Sequence, residues 1–114
     1  MTVTEITQIG KEAVNDENII VLFGETITPD LLDVSVVQKK ISDETIALKA
    51  GSRIIFGDQS YQVQGVGPVA NQNLNEIGHA TIFFQAEVGT IANAVYVSPE
   101  KLPELEVGMK ITFQ

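Results

Sequence analysis

His79 is the only histidine of this 114-residue chain, which has no cysteine and no tryptophan. Imidazole is the side chain that gains and loses its proton near neutral pH, and its neutral form is a nucleophile. The chain has no glycine-rich phosphate loop and no acid-rich metal loop that would suggest other chemistry. The sequence therefore predicts that any reaction centre is built on His79.

The elements around His79 are a short helix and a strand. A helix is predicted over 71–77, with Asn71 as its candidate cap and Gly78 ending it in a left-handed conformation. A strand is predicted over 79–84, with Ala80 facing inward. The helix C-terminus carries partial negative charge, which favours imidazolium and repels a phosphoryl dianion at His79.

Lys39, Lys40, Lys49 and Arg53 are four of the seven cations and lie in one stretch of sequence. One interpretation is a phosphate-attracting rim, because lysine supplies a point charge and arginine a bidentate clamp. The other is a solvated turn region. The sequence leaves both open.

The apolar pattern favours strands, because short apolar runs alternate with glycine, proline, asparagine and aspartate. Ile19–Phe23 is continuous and predicts a strand buried on both faces. Arg53–Phe56 and 60–64 predict a hairpin around Gly57. Strands are predicted over 2–9, 19–23, 33–40, 53–56, 60–64, 79–84, 93–97 and 110–113, and single helical turns at 28–32 and 98–102, with Thr28 as the cap of the first.

These elements predict an all-β fold: a small closed or nearly closed barrel of about seven short strands with one to three single-turn helices. We expect one domain over residues 1–114. Barrel closure also protects apolar strands from edge-to-edge aggregation.

An internal repetition is visible in the sequence. Leu48, Gly51, Ile54 and Phe56 recur with the same spacing as Leu105, Gly108, Ile111 and Phe113, at a shift of half the chain. One interpretation is a duplicated half-barrel. The other is that a turn glycine followed by a strand is a common pattern in β proteins.

The composition restricts the partners and the compartment. A net charge of −8 argues against nucleic acid or an anionic membrane as the main partner, so membrane contact is at most peripheral. There is no apolar run of the ~20 residues that span a bilayer, and no basic, apolar leader at the start. Without cysteine we expect a cytoplasmic protein. A homodimer is a further expectation, since oligomers of this symmetry are common.

The sequence around His79 resembles a known family. The resemblance rests on residues 66–70 and 73–82, and further stretches at 48–51, 56–63 and 103–113 also fit. In the same order along the chain, these are similar to the glucitol/sorbitol-specific enzyme IIA component of the bacterial phosphotransferase system. That resemblance implies a barrel and a phosphocarrier that takes a phosphoryl group from HPr and passes it to an enzyme IIB of a sugar permease, without a metal or cofactor.

The resemblance also implies a position for the phosphoryl acceptor, directly after the valine-rich strand, where this chain has Gln38. A carboxamide nitrogen is delocalised into its carbonyl and cannot carry a phosphoryl group, although it can hydrogen-bond a phosphate. We therefore expect Gln38, Lys39, Lys40 and Arg53 to contact a phosphate or a partner. Three roles remain open for His79: the acceptor, a structural group whose ring binds a carbonyl of the helix end, or an accessory group beside the lost acceptor.

Two functional hypotheses follow. In the first, the protein is a phosphocarrier and His79 accepts the phosphoryl group. In the second, it is a binding or regulatory homologue that kept the fold, lost the acceptor at Gln38, and recognises HPr, a permease domain or a small anion without covalent chemistry.

Overall fold

The computed structural model describes residues 1–42 and 44–114, and it forms a closed eight-stranded barrel. The strands lie in the order β1-β3-β2-β6-β7-β5-β4-β8 around the barrel. Eight pairs of neighbouring strands close the barrel: six are antiparallel, and two, β2–β3 and β6–β7, are parallel. The strands are β1 (Thr2–Ile9), β2 (Ile19–Phe23), β3 (Ser35–Lys40), β4 (Arg53–Phe56), β5 (Gln59–Val66), β6 (Ala80–Phe84), β7 (Ala94–Ser98) and β8 (Lys110–Phe113).

The predicted barrel is confirmed, and side-chain alternation explains where its core lies. Ile20 and Leu22 of β2 are fully buried, whereas Ile19, Val21 and Phe23 are partly exposed. The prediction that this strand is buried on both faces was therefore wrong. Its outward residues lie on a barrel wall that is only partly covered, although they are as apolar as the inward ones.

Within residues 1–42 and 44–114, two helices accompany the strands. A 3₁₀ helix spans Pro29–Val34, and α1 spans Ala70–Ile77. Thr28 is the N-cap residue of the first but makes no side-chain cap hydrogen bond. The N-cap of α1 is Val69, not Asn71. The third helical turn, predicted over 98–102, is absent: Ser98 ends β7 and residues 99–101 form bends.

The two halves of the chain repeat one another in structure. β5 has the same length as β1 and begins 57 residues later in the chain, and β8 has the same relation to β4. β1 pairs with β3 and β8, and β5 pairs with β7 and β4, so exchanging the halves leaves the strand order unchanged. Each first strand has one register irregularity, between Ile6 and Gln8 in β1 and between Val63 and Gly65 in β5, and these lie at equivalent positions.

Hydrogen bonds at the repeated glycines show the same symmetry. The Gly51 N–H donates to the Val63 carbonyl at 2.9 Å, and the Gly108 N–H donates to the Ile6 carbonyl at 2.8 Å. Both glycines have positive φ, 96° and 94°, a conformation that other residues rarely adopt. Of the two interpretations of the recurring glycine pattern, these matches favour the duplicated half-barrel.

An aromatic cluster fills the interior. Tyr61 makes edge contacts with Phe56 and Phe84, with ring centroids 5.7 and 5.0 Å apart. All three rings are buried, and such contacts add to the free energy of burying their apolar area. Within the described part of the chain, no helix is long and apolar enough to cross a membrane.

Candidate functional site

His79 is half-buried, and one of its ring nitrogens is bonded. Its Nδ1 lies 3.0 Å from the Leu22 carbonyl oxygen on the neighbouring strand. Its ring stacks on Phe23, with centroids 4.3 Å apart and ring planes 27° from parallel. Because a carbonyl oxygen only accepts hydrogen bonds, Nδ1 carries the proton, and in neutral imidazole Nε2 then has the free lone pair.

The bonded carbonyl is on a strand rather than at the helix end. Gly78 has φ 67°, as its predicted role requires, and its N–H donates to the Leu74 carbonyl. The His79 N–H donates to the Asn73 carbonyl at 3.2 Å. These two bonds satisfy carbonyls of the last helical turn, which is why the imidazole bonds to Leu22 instead.

The His79 side chain lies on the outer side of the barrel wall. Ala80, the next residue, is fully buried and pairs with Leu22, which is also fully buried. Side chains alternate along a strand, so His79 and its stacking partner Phe23 face outward. A partner protein can therefore approach the imidazole without entering the barrel.

Gln38 lies on the inner side of the wall and is 3% exposed. Its Oε1 accepts a hydrogen bond of 2.6 Å from the Thr4 hydroxyl, and its Nε2 donates to the Gly78 carbonyl at 3.1 Å. The carboxamide thus joins β1 to the peptide that precedes His79. Gln38 and His79 are near one another along the wall but face opposite sides of it.

A pocket of about 270 Å³ opens beside Gln38, at the end of the barrel covered by α1. Gly78 lines it, and His79 is not among the described residues that do. The full lining is Thr4, Gly24, Glu25, Thr26, Gln38, Lys39, Lys40, Ile46, Leu74, Asn75, Glu76, Ile77 and Gly78.

The predicted cations are only partly brought together. Lys39 and Lys40 line the pocket, and the Lys40 ammonium donates to Asn75 Oδ1 at 3.5 Å. Arg53 lies away from this group on β4, where its guanidinium donates to the Ser60 hydroxyl across the hairpin. The structure therefore brings Lys39 and Lys40 together at the pocket and leaves Arg53 apart from them.

Two asparagines shape the site through contacts that the sequence analysis did not predict. Asn75 accepts from the Ile46 N–H and donates to the Ile46 carbonyl, both at 2.8 Å. Asn71 makes the same pair of bonds with Leu48. Each carboxamide makes the pair of backbone hydrogen bonds that a neighbouring strand would otherwise make. The two asparagines thereby hold α1 against the segment 46–48. The signal was their spacing, since residues four apart share one helix face.

In the part of the chain that the structure describes, Glu5 and Tyr61 have pKa values shifted from their ordinary ones. The Lys110 ammonium, bonded to Glu5 at 3.1 Å, lowers the pKa of the Glu5 carboxyl, with a smaller contribution from Lys39. Burial raises the pKa of the Tyr61 phenol. Among the residues that the structure describes, no group of three or more histidine and acidic side chains could hold a metal ion.

Comparison with known proteins defines the class. The sequence pattern of the family described as PTS system glucitol/sorbitol-specific IIA component matches residues 1–112. The glucitol/sorbitol-specific EIIA components of Escherichia coli K12 and Shigella flexneri are each 32% identical over 83 residues, which is 71% of this chain and 67% of theirs.

The same fold occurs in a solved structure. The crystal structure of a PTS system IIA component from Enterococcus faecalis V583 superimposes with a TM-score of 0.92 at 36% identity, covering 97% of this chain and 98% of that one. The barrel and these matches define a component of a sugar phosphotransferase system. The chain belongs to the glucitol/sorbitol-specific IIA family.

Proposed function

We propose that this protein is a phosphocarrier in which Nε2 of His79 accepts a phosphoryl group from HPr and passes it to an enzyme IIB of a polyol permease. Family membership supports a phosphocarrier role. The observation that carries the assignment to His79 is the bond from Nδ1 to the Leu22 carbonyl. It fixes the tautomer in which Nε2 is the nucleophile.

The orientation of the ring suits transfer between two proteins. Stacking on Phe23 holds the imidazole plane, and the ring faces outward from the barrel wall. Positioning the two reacting atoms is the main requirement of phosphoryl transfer, because the protein supplies little covalent chemistry beyond the nucleophile.

The bonds, electrons and protons of the transfer balance without a metal or an external base. The Nε2 lone pair forms a bond to phosphorus while the bond from phosphorus to the donor's imidazole nitrogen breaks, and that nitrogen keeps the electron pair. Nδ1 of His79 keeps its proton, and the positive charge that develops on the ring is stabilised by the Leu22 carbonyl. The second transfer, to enzyme IIB, reverses these roles.

Lys39 is the cation placed to assist. In β3, Val36 is fully buried, so alternation puts Lys39 with the outward side chains, on the same side of the wall as His79. An exposed ammonium on the same side of the barrel wall as the acceptor attracts the phosphoryl dianion of the incoming partner. Such a role places the protein in the cytoplasm, where HPr supplies the group.

A second function is favoured by Gln38. The residue at the position implied for the acceptor is buried and hydrogen-bonded through both ends of its carboxamide, to Thr4 and to Gly78. That geometry suits a structural tie and not a transfer site. The second proposal is therefore a homologue that binds its phosphotransferase partners without covalent chemistry.

Intact-mass measurement after incubation with phosphoenolpyruvate, enzyme I and HPr separates the two. The phosphocarrier gains one phosphoryl group that is lost in acid, and the His79→Asn variant gains none. Lys39→Ala slows labelling at least several-fold, whereas Lys101→Ala, which removes an exposed lysine elsewhere, leaves the rate unchanged.

The variant Gln38→His combined with His79→Asn completes the design. If the wild-type chain stays unlabelled while HPr is phosphorylated, the carrier proposal fails. Labelling of the double variant under those conditions then shows that the docking surface is intact and that the acceptor was lost at position 38.

A further inference from the structure

The strand that follows His79 has a counterpart in the other half of the structural repeat. The pairs β2–β3 and β6–β7 are both parallel, and β3 and β7 pair with β1 and β5 at equivalent positions. Aligning these pairs matches Leu22 with Ile82. The same alignment matches Asn18 with Gly78, and both residues have positive φ, 57° and 67°. The backbone therefore enters β2 and β6 in a similar way.

The carbonyl groups of these two residues find their hydrogen bonds differently. The Asn18 carbonyl accepts from the backbone N–H of Phe84 at 2.9 Å. The equivalent N–H in the other half, that of Gly24, donates at 2.8 Å to the Ile77 carbonyl, one residue earlier. Within residues 1–42 and 44–114, no backbone N–H donates to the Gly78 carbonyl. A carbonyl that is partly withdrawn from water and has no partner is costly, so it needs a donor from elsewhere.

The Gln38 carboxamide supplies that donor. Its Nε2 lies 3.1 Å from the Gly78 carbonyl oxygen, and its Oε1 accepts from the Thr4 hydroxyl at 2.6 Å. Because the Gly78 carbonyl only accepts, the nitrogen end of the carboxamide faces it, and the bond from Thr4 to the oxygen end holds this orientation. The equivalent of Gln38 is the apolar Val97, in the half where the backbone already provides the bond.

The peptide unit between Gly78 and His79 is thereby held at both of its polar groups. Its carbonyl accepts from Gln38, and its N–H donates to the Asn73 carbonyl at 3.2 Å. The orientation of this peptide sets the direction in which the His79 side chain leaves the backbone. On the outer side of the wall, Nδ1 of that side chain bonds the Leu22 carbonyl. A bond inside the wall and a bond outside it therefore determine together where the ring lies.

Glycine is required at position 78, and it makes this peptide easy to rotate. A Cβ added there would lie 2.8 Å from the Gly24 backbone nitrogen, and the positive φ disfavours other residues. Glycine has the widest backbone freedom of all residues, so its own conformation does not prevent the peptide from turning. The bond from Gln38 provides the restraint that glycine lacks.

We propose that Gln38 is a positioning residue for His79, because its bond to the Gly78 carbonyl keeps the imidazole where Nδ1 donates to Leu22 and Nε2 is free. Without that bond, the ring leaves the Leu22 carbonyl in part of the molecules. The tautomer with its proton on Nε2, which cannot attack phosphorus, then becomes populated. The consequence for phosphoryl transfer rests on the proposed function, whereas the effect on the ring does not.

Nitrogen-15 NMR of the neutral His79 ring, in the full-length protein without a phosphoryl donor, tests the effect on the ring. Gln38→Val, which copies Val97 of the other half, should raise the fraction of rings protonated at Nε2 several-fold over the wild type. Thr4→Val should raise it by less. The double variant should not exceed Gln38→Val, since Thr4 acts through the carboxamide. An unchanged ring in Gln38→Val overturns the proposal.

Ile54→Val is the control for a general loss of stability. Ile54 is fully buried in β4, which pairs with neither β2 nor β6, and the substitution removes one buried carbon from the core. The His79 ring should keep its wild-type tautomer in this variant. A change as large as that in Gln38→Val would show that the ring responds to weakened packing anywhere in the barrel, which contradicts a positioning role.

The rate of labelling by phosphorylated HPr separates this inference from the proposed function. Gln38→Val should lower the maximum rate several-fold and leave the HPr concentration for half of that rate unchanged, because Gln38 is 3% exposed and faces inward. If the wild type is not labelled but Gln38→Val still changes the ring, the carrier proposal fails and the positioning role stands. If the wild type is labelled and Gln38→Val changes neither the ring nor the rate, the positioning role fails and the carrier stands.

Discussion

The two ends of the repeated barrel share a backbone plan but not an interior. At the closed end, Tyr61 and Val97 fill the space, and Tyr61 contacts the rings of Phe56 and Phe84. At the open end, Thr4 of β1 is the equivalent of Tyr61 at the shift of 57 residues, and Gln38 pairs with Ile6 as Val97 pairs with Val63. Thr4 and Gln38 hydrogen-bond one another beside a pocket.

The difference shows how stability and function are divided between the halves. Large apolar residues at the closed end bury area and stabilise the barrel. Polar residues at the open end give up some of that burial, and Gln38 holds the peptide before His79 through its bond to the Gly78 carbonyl. The same pairings of strands thus accommodate both uses.

The largest expected effect is at the closed end. Tyr61→Ala removes a buried ring and its bond to the Lys101 carbonyl, so we expect a loss of about 3–5 kcal/mol in the free energy of unfolding. The matched change Thr4→Ala at the open end costs about 1 kcal/mol, the usual value of one hydrogen bond. Urea denaturation measures both, and equal losses would contradict the comparison.

A circular permutant tests the repeat as a whole. Thr2 pairs with Phe113, so the chain ends lie together, and the Gly57 turn is the equivalent connection in the other half. Joining Gln114 to Met1 with a short turn and opening the chain after Gly57 should give the same barrel, with a smaller loss of stability than Tyr61→Ala. Circular dichroism and urea denaturation report the result. A permutant without strand signal would argue that the halves are not interchangeable.

A smaller effect is expected from Gln38→Val. The substitution removes two hydrogen bonds but leaves their partners beside a pocket that admits water, so we expect a change of about 1 kcal/mol or less in unfolding free energy. Urea denaturation again measures it. A loss as large as that of Tyr61→Ala would show that Gln38 is a main structural support and not a positioning residue.

The smallest effect concerns Glu5 and Lys110, whose equivalents Gln62 and Arg53 form no ion pair. Lys110 lowers the pKa of Glu5 below its ordinary value of 4.5. The pair therefore stabilises the folded protein at pH values above 4.5, and this contribution is lost as the pH falls through the lowered pKa. Glu5→Gln should therefore make unfolding less dependent on pH in this acid range, with little change at neutral pH. Thermal unfolding followed from pH 7 to pH 3 checks it, with Gln62→Ala as the control at the equivalent position.

Much of the fold was accessible from the sequence, because alternation and turn glycines determine the strands. Gly51 and Gly108 even indicated the repeat. The predicted N-cap at Asn71 was wrong because its carboxamide bonds the backbone of Leu48, a contact between segments distant in sequence. The division of His79 and Gln38 between the two sides of the wall depends on strand register, which local patterns do not determine.

The most direct test of the central claim is the protonation of the His79 ring, read from long-range ¹H–¹⁵N correlations in the unphosphorylated protein at a pH where the ring is neutral. The bond to the Leu22 carbonyl predicts a proton on Nδ1 and a bare Nε2. After incubation with phosphorylated HPr, the phosphorus coupling should appear on Nε2. A proton found on Nε2, or phosphorus attached elsewhere, would contradict the account.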